Sequence, residues 1–166
     1  TTLFRSTYTK DKDLFLLSFH ADCTPILVYC KDQKIVCAIH SGWLGTVRQI
    51  VDHTIRYLIE KENCNPQEMY CLIGPCLSKK HLEVQDDVIN QVKKMNFDTS
   101  PFYQKTDETH YLLDNKGLNK QQLLNLGVLE ENIQVSSYCT NENNDLFFSH
   151  RVNHDGQRNV TIIKRK

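Results

Sequence analysis

The sequence predicts an α+β fold with mixed sheets, and three observations carry that expectation. Apolar runs recur at 14–19, 26–30 and 35–39, the last two rich in β-branched residues, and the short polar KDQK at 31–34 suits a hairpin turn between those two. Helical periodicity follows at once: Val47, Ile50, Val51, Thr54, Ile55, Leu58 and Ile59 fall three and four residues apart on one face. Beyond them, strand-like and helix-like segments interleave to the end. Hairpin-joined strands ahead of interleaved helices favour a mixed sheet over a purely parallel one.

Each element has a local reason. The run at 14–19 is apolar almost throughout and leads into HADCTP at 20–25. Thr46 is the expected N-cap of the helix that starts at Val47, because its hydroxyl can accept an orphan backbone N–H. Residues 69–73 read as a buried strand ended by Gly74 and Pro75. Val84, Val88, Ile89, Val92 and Met95 outline a second helix, and a third is expected over 115–126, capped by Asp114 and closed by Gly127. Residues 133–138 form a strand leading into Cys139 and Thr140. Phe147 and Phe148 open a segment ending in FFSHR, and 159–164 alternates as an edge strand.

The 166 residues fit one domain with a sizeable core, and 40% hydrophobic residues fit a folded soluble protein. Twenty basic residues balance twenty acidic ones, which leaves no electrostatic footprint for nucleic acid or an anionic membrane. No apolar stretch approaches transmembrane length and no secretory signal is visible. The sequence opens on Thr1 rather than Met, so an N-terminal segment ahead of it is expected to be missing. Seven cysteines, an odd number with no CxxC, read as reduced thiols of a cytoplasmic protein rather than a disulfide framework. Cys30, Cys37 and Cys71 alternate with Val, Ile or Leu and are expected in the core.

Two tight turns after strands carry reactive side chains. Cys23 follows the first strand, and His40 closes the third, directly before Ser41, Gly42 and Trp43. A thiol and an imidazole at strand ends can act as nucleophile and base. They can equally be two ligands of Zn²⁺. The residues alone do not separate these readings and slightly favour plain packing, since buried cysteines are common and a lone histidine is usually structural. Near the C-terminus, Ser149, His150, Arg151, His154, Asp155 and Arg158 form a second cluster. Arginines around a glycine-containing turn can hold phosphate or carboxylate, against the plainer reading of a solvated loop.

ADCTP (21–25), IHSGWLGT (39–46), IGPCLSKKHLEVQDDV (73–88), LDNKGLNKQQLLNLGV (113–128) and CTNENNDLFFSHR (139–151) resemble, in order, the blocks of the YfiH-like family. Its members are also labelled laccase-domain or multicopper polyphenol oxidase proteins. The resemblance runs from about Leu14 onward. It implies a layered α/β/β/α sandwich with mixed sheets, as a single domain over 1–166, and purine nucleoside phosphorylase activity with adenosine deaminase activity. It also implies a Zn²⁺ site built from a His in an upstream QVHG-type motif, the Cys of ADC and the His of HAGW; the last two fall on Cys23 and His40.

Three departures bear on that. Nothing ahead of His20 is a histidine, so the third ligand is expected from a segment upstream of the chain; His20 itself is not expected to ligate. Leu44 stands where a basic residue is usual, with Arg48 as a possible substitute, and the YEVG-type block carries Leu82 and Gln85. On the resemblance, Asp22, Cys23 and His40 are the catalytic candidates, and Arg48, Arg151 and Arg158 are candidates for substrate and phosphate. Asp22 would orient a ligand or move a proton, with a turn-capping role weighed evenly beside it. Trp43 could stack on a base or pack in the core. The partners implied are a purine nucleoside and phosphate, with no nucleic acid or membrane, in a monomer or homodimer. The alternatives are a cysteine hydrolase or amidase using the Cys23–His40 pair, and a degenerate, non-catalytic member. Copper oxidase chemistry ranks lowest, for want of clustered histidines.

Overall fold

A computed structural model describes residues 5–166 of the chain. Four strands come first: β1 (Ser6–Thr9), β2 (Phe15–His20), β3 (Thr24–Cys30) and β4 (Ile35–Ser41). Then follow α1 (Trp43–Val47), α2 (Ile50–Glu62), β5 (Met69–Ile73), β6 (Glu83–Gln85) and α3 (Asp86–Val92). The chain continues through β7 (Tyr103–Lys105), β8 (His110–Leu113), α4 (Asn115–Asn125), β9 (Ile133–Val135), α5 (His150–Asn153) and β10 (Asn159–Lys164).

The principal sheet has the order β1-β4-β3-β5-β9. Its pairings are antiparallel except β5 with β9, which is parallel, so the sheet is mixed as predicted. The β3–β4 hairpin turns through 31–34, where Lys34 takes a left-handed φ of 53°. One face of the sheet, with Ile26, Val28, Cys37, Ile39, Met69, Cys71 and Ile73, packs on Val51, Ile55 and Leu58 of α2 and Leu123 of α4. Each fully buried Ile or Leu there contributes about 1.5–3 kcal/mol relative to exposure. Cys30, Cys37 and Cys71 lie in this core, as their alternation predicts.

The opposite face is covered by a ribbon. β2 does not join its neighbour β3; it pairs antiparallel with β10 over its full length, from Phe15↔Lys164 to His20↔Asn159, and lies against β4 and β3. Alternation explains the choice. Ser18 and His20 point inward and are buried, while Phe15, Leu17 and Phe19 point outward and stay exposed. A third sheet, β6-β8-β7, packs with α3 around a second core of Leu77, Val88, Ile89, Val92, Leu113 and Leu118.

Several local expectations give way to packing. The helix predicted from Val47 is two helices, because Gln49 takes a left-handed φ of 55° and breaks the run after α1. Thr46 is therefore not an N-cap; it is fully buried inside α1, with its hydroxyl bonded to Ser41 and Asn119. Val84 is a strand residue paired to Tyr111 rather than the start of a helix. The strand predicted over 133–138 stops at Val135, where pairing with β5 ends at Ile73. Asp114 does cap α4, accepting from the Gly117 N–H at 2.9 Å, and Gly127 closes it with a φ of 87°.

Candidate active site

Cys23 sits in the turn between β2 and β3, and the backbone there is held from two distant loops. Asp22 has a left-handed φ of 79°, which Asp tolerates better than most residues. Its Oδ1 accepts from the Thr140 hydroxyl at 2.7 Å and its Oδ2 from the Arg151 backbone N–H at 2.8 Å. Its carbonyl accepts from Leu77 N–H at 3.1 Å. Both carboxylate oxygens are thus engaged in fixing the turn.

The β3–β4 register pairs Thr24 with Ser41 and Pro25 with His40, which brings the turn alongside Gly42. A Cβ on Gly42 would lie 2.9 Å from Cys23 Sγ, so the glycine is what lets the two segments approach. His40 donates from Nδ1 to the Phe19 carbonyl at 2.9 Å, the assignment its acceptor requires, and this leaves the lone pair on Nε2. Burial pushes the His40 pKa down, and Arg5 and Arg158 push it further, against the Phe19 carbonyl. Burial pushes the Cys23 thiol up; Arg5 and Arg158 oppose this and Asp22 adds to it. The same two arginines therefore act on both groups.

His20 is 2% exposed. One ring nitrogen bonds the Thr161 hydroxyl at 2.7 Å and the other, Nδ1, is buried without a partner. Burial, with His40 nearby, pushes its pKa down to about 4.

Cys23 lines a cavity of about 800 Å³ with Arg5, Trp43, Leu44, Arg48, His53 and Tyr57. Arg48 reaches it from the end of α1, and Trp43 is 36% exposed on its wall rather than in the core. Arg158 acts only weakly on Cys23 and His40; its guanidinium donates to the Gln157 carbonyl at 2.7 Å, and it does not line the cavity. Arg151 is drawn elsewhere: its guanidinium donates to the Glu83 carbonyl at 3.2 Å, and it does not line the cavity. Arg5, His53 and Tyr57 are missing from the sequence-based candidates. Arg5 lies ahead of the first recognised motif. His53 and Tyr57, four apart on α2, carry only the weak signal of facing away from its apolar stripe.

A buried polar relay sets the strand ends. Asn115 donates to the Thr24 hydroxyl at 2.9 Å and the Ser41 carbonyl at 3.1 Å. Asn119 donates to the Thr46 hydroxyl at 3.0 Å, which is 2.8 Å from that of Ser41. It ties β3, β4 and α1 to α4 around the Gly42 turn.

The donor chemistry of Cys23 and His40, a soft sulfur and a neutral imidazole, fits Zn²⁺. Open zinc sites take three protein ligands, so a site built on this pair would need a third donor.

The sequence profile described as multi-copper polyphenol oxidoreductase laccase matches residues 5–166. The chain belongs to that family. Among its relatives, a protein named purine nucleoside phosphorylase YlmD from Bacillus subtilis (strain 168) is 37% identical over 87% of this chain and 52% of its own length. A purine nucleoside phosphorylase from Staphylococcus epidermidis is 33% identical over 96% of the chain and 59% of its own. The chain thus spans little more than half the length of these curated family members. In the same family fold, the crystal structure of Bacillus licheniformis hypothetical protein YfiH superimposes with a TM-score of 0.94 at 31% identity, covering 98% of this chain and 61% of that one. YlmD from Geobacillus stearothermophilus gives 0.92 at 32% identity, with the same coverage. The mixed α+β architecture predicted from the sequence is the family's.

Proposed function

We propose that the protein is a purine nucleoside phosphorylase, with adenosine deamination as a second activity, working at the Cys23 cavity. One observation carries this reading. Cys23 opens onto a cavity of about 800 Å³ and shares two arginine neighbours with His40. That volume falls in the range of small-molecule sites, and it occurs in a chain whose relatives are named for this activity.

In phosphorolysis a phosphate oxygen bonds to C1′ of the ribose as the C1′–N9 bond breaks. The bonding pair leaves on the purine, which takes up a proton. Arg5 and Arg48 provide the anion site for phosphate. Arg158 joins them only by releasing the Gln157 carbonyl, and Arg151 only by releasing the Glu83 carbonyl. Trp43 and Tyr57 offer flat faces to the base. Zn²⁺ bound to Cys23, His40 and a third donor from a segment ahead of Thr1 would supply a Lewis acid and an activated water, the need of deamination. His40 serves through its free Nε2, oriented by Phe19. Asp22 is a positioning residue that keeps Cys23 in place. The alternative of Cys23 as nucleophile and His40 as base fits poorly with a thiol whose pKa burial raises. Seven free cysteines suit the cytoplasm.

The test is incubation of the full-length protein with adenosine or inosine, with and without phosphate, and chromatography of the products. Phosphate-dependent release of base and ribose 1-phosphate is expected, lost with bound zinc in Cys23→Ala and His40→Ala. Wild-type turnover by Cys23→Ala would overturn the reading. Nucleoside binding without turnover would make the protein a binding module. Inactivation by iodoacetamide with no metal dependence would make it a cysteine hydrolase.

A further inference from the structure

The loops that fix Asp22 also gather three metal-type donors away from the cavity. His81 ends the short turn Lys79–His81, Cys139 precedes Thr140, and Glu142 lies three residues on. Their ligand atoms all lie within 4.8 Å of one another, and none of the three lines the Cys23 cavity. Cys139 is 1% exposed at the edge of the second apolar core, yet its sulfur has polar neighbours. It accepts the Ser78 backbone N–H at 3.3 Å and is faced by the backbone N–H groups of Asn141 and Glu142. The His81 ring bonds Glu142 Oε1 at 2.9 Å.

We propose that His81, Cys139 and Glu142 form a binding site for a borderline divalent cation, best fitted by Zn²⁺, that clasps the 78–81 turn to the 139–142 turn. Sulfur, imidazole and carboxylate form a donor set that Zn²⁺ takes and that Mg²⁺ or Ca²⁺ does not. Zinc bond lengths of about 2.0–2.3 Å at tetrahedral angles place ligand atoms about 3.3–3.7 Å apart, so only small side-chain rotations separate the present arrangement from a bound one. Backbone N–H groups aimed at the sulfur support a thiolate ligand. The cation displaces two protons, that of the Cys139 thiol and the one between His81 and Glu142. Lys80 also touches Glu142, at 3.2 Å, but its side chain is 75% exposed and free to swing into water.

The clasp has a consequence for the turn beneath it. Leu77, just before the first turn, and Thr140, on the second, hold Asp22, and the backbones at Cys76 and Cys139 form an isolated parallel β-bridge beside them. A cation here stiffens the support of Cys23 without touching the reacting atoms. The inference does not depend on the function proposed above.

The test is titration of metal-free protein with Co²⁺ and Zn²⁺, reading the thiolate-to-cobalt charge-transfer band and the equivalents retained after gel filtration. His81→Ala is expected to bind one equivalent fewer than wild type. Glu142→Gln should weaken that equivalent at least about 10-fold, no less than the loss of an outer-shell partner. Cys139→Ser should remove its share of the band. Side chains at His81 and Glu142 are 26% and 44% exposed, so these two variants keep the fold and decide the question if Cys139→Ser does not fold. Cys23→Ala removes a different equivalent, so failure of the cavity site leaves this difference intact. Equal stoichiometry and equal affinity in His81→Ala and wild type would overturn the proposal, as would a wild type whose bound metal is lost entirely in Cys23→Ala.

Discussion

Gly42→Ala tests the placing of Cys23 most directly. The glycine has φ −73° and ψ 172°, open to alanine, so no backbone strain arises. What arises is a collision, with the new Cβ 2.9 Å from Cys23 Sγ. Overpacking costs about 1–3 kcal/mol, and the lower end applies because a sulfur one bond from its Cβ at a cavity wall can turn aside. Turning aside is what harms the site. A displacement near 1 Å costs about 100-fold in rate. The expected variant is therefore folded, less stable by about 1 kcal/mol in urea unfolding and, on the proposed function, depleted of zinc and about 100-fold lower in kcat/KM for phosphorolysis. Wild-type kcat/KM with wild-type metal content would refute the reasoning, because the sulfur would then have moved without effect.

Three further outcomes follow from the same geometry. With its pKa pushed from 6.5 to about 4, His20 leaves the folded state short of a proton that the unfolded chain binds in that window. Stability should fall as pH drops from about 6.5 to 4, by up to about 3 kcal/mol, and His20→Gln should flatten the slope in urea titrations across that range. Asn119→Ala strips Thr46 and the Asn115 carbonyl of a buried donor and should cost about 2–3 kcal/mol; a loss under about 0.5 kcal/mol would mean the relay carries no stability. Asp22→Ala removes the acceptor of Thr140 and Arg151 and puts alanine at φ 79°, so a loss of roughly 3 kcal/mol is expected. Hydrogen exchange checks it at one atom: the Arg151 amide should lose protection, and unchanged protection rules the account out.

Much of the frame was legible because long periodic segments report their partners. The β3–β4 hairpin, β5, α4 and β10 all lie where alternation, helical spacing and caps place them. What was hidden is tertiary. Strands of three or four residues such as β1, β6 and β7 are too short to show a period, and β1 carries Ser6 and Tyr8 into the cavity wall. The break at Gln49 leaves no mark on the apolar stripe, which runs straight through it. In the candidate site, the motifs single out Cys23 and His40 in the sequence. Arg5 has no such signal, since only the fold delivers it, and the sequence gives no hint that the Arg151 guanidinium turns to the Glu83 carbonyl.

The pairing of β2 with β10 has a consequence in the order of synthesis. β2 emerges from the ribosome early and its only partner in the ribbon emerges late, with Arg158 just ahead of it. Through that interval the nascent chain carries an unpaired strand edge flanked by exposed Phe15, Leu17 and Phe19, a template for wrong association. A product cut before Asn159 never escapes that condition. Chains lacking the strand that completes the ribbon would present proteases with that open edge.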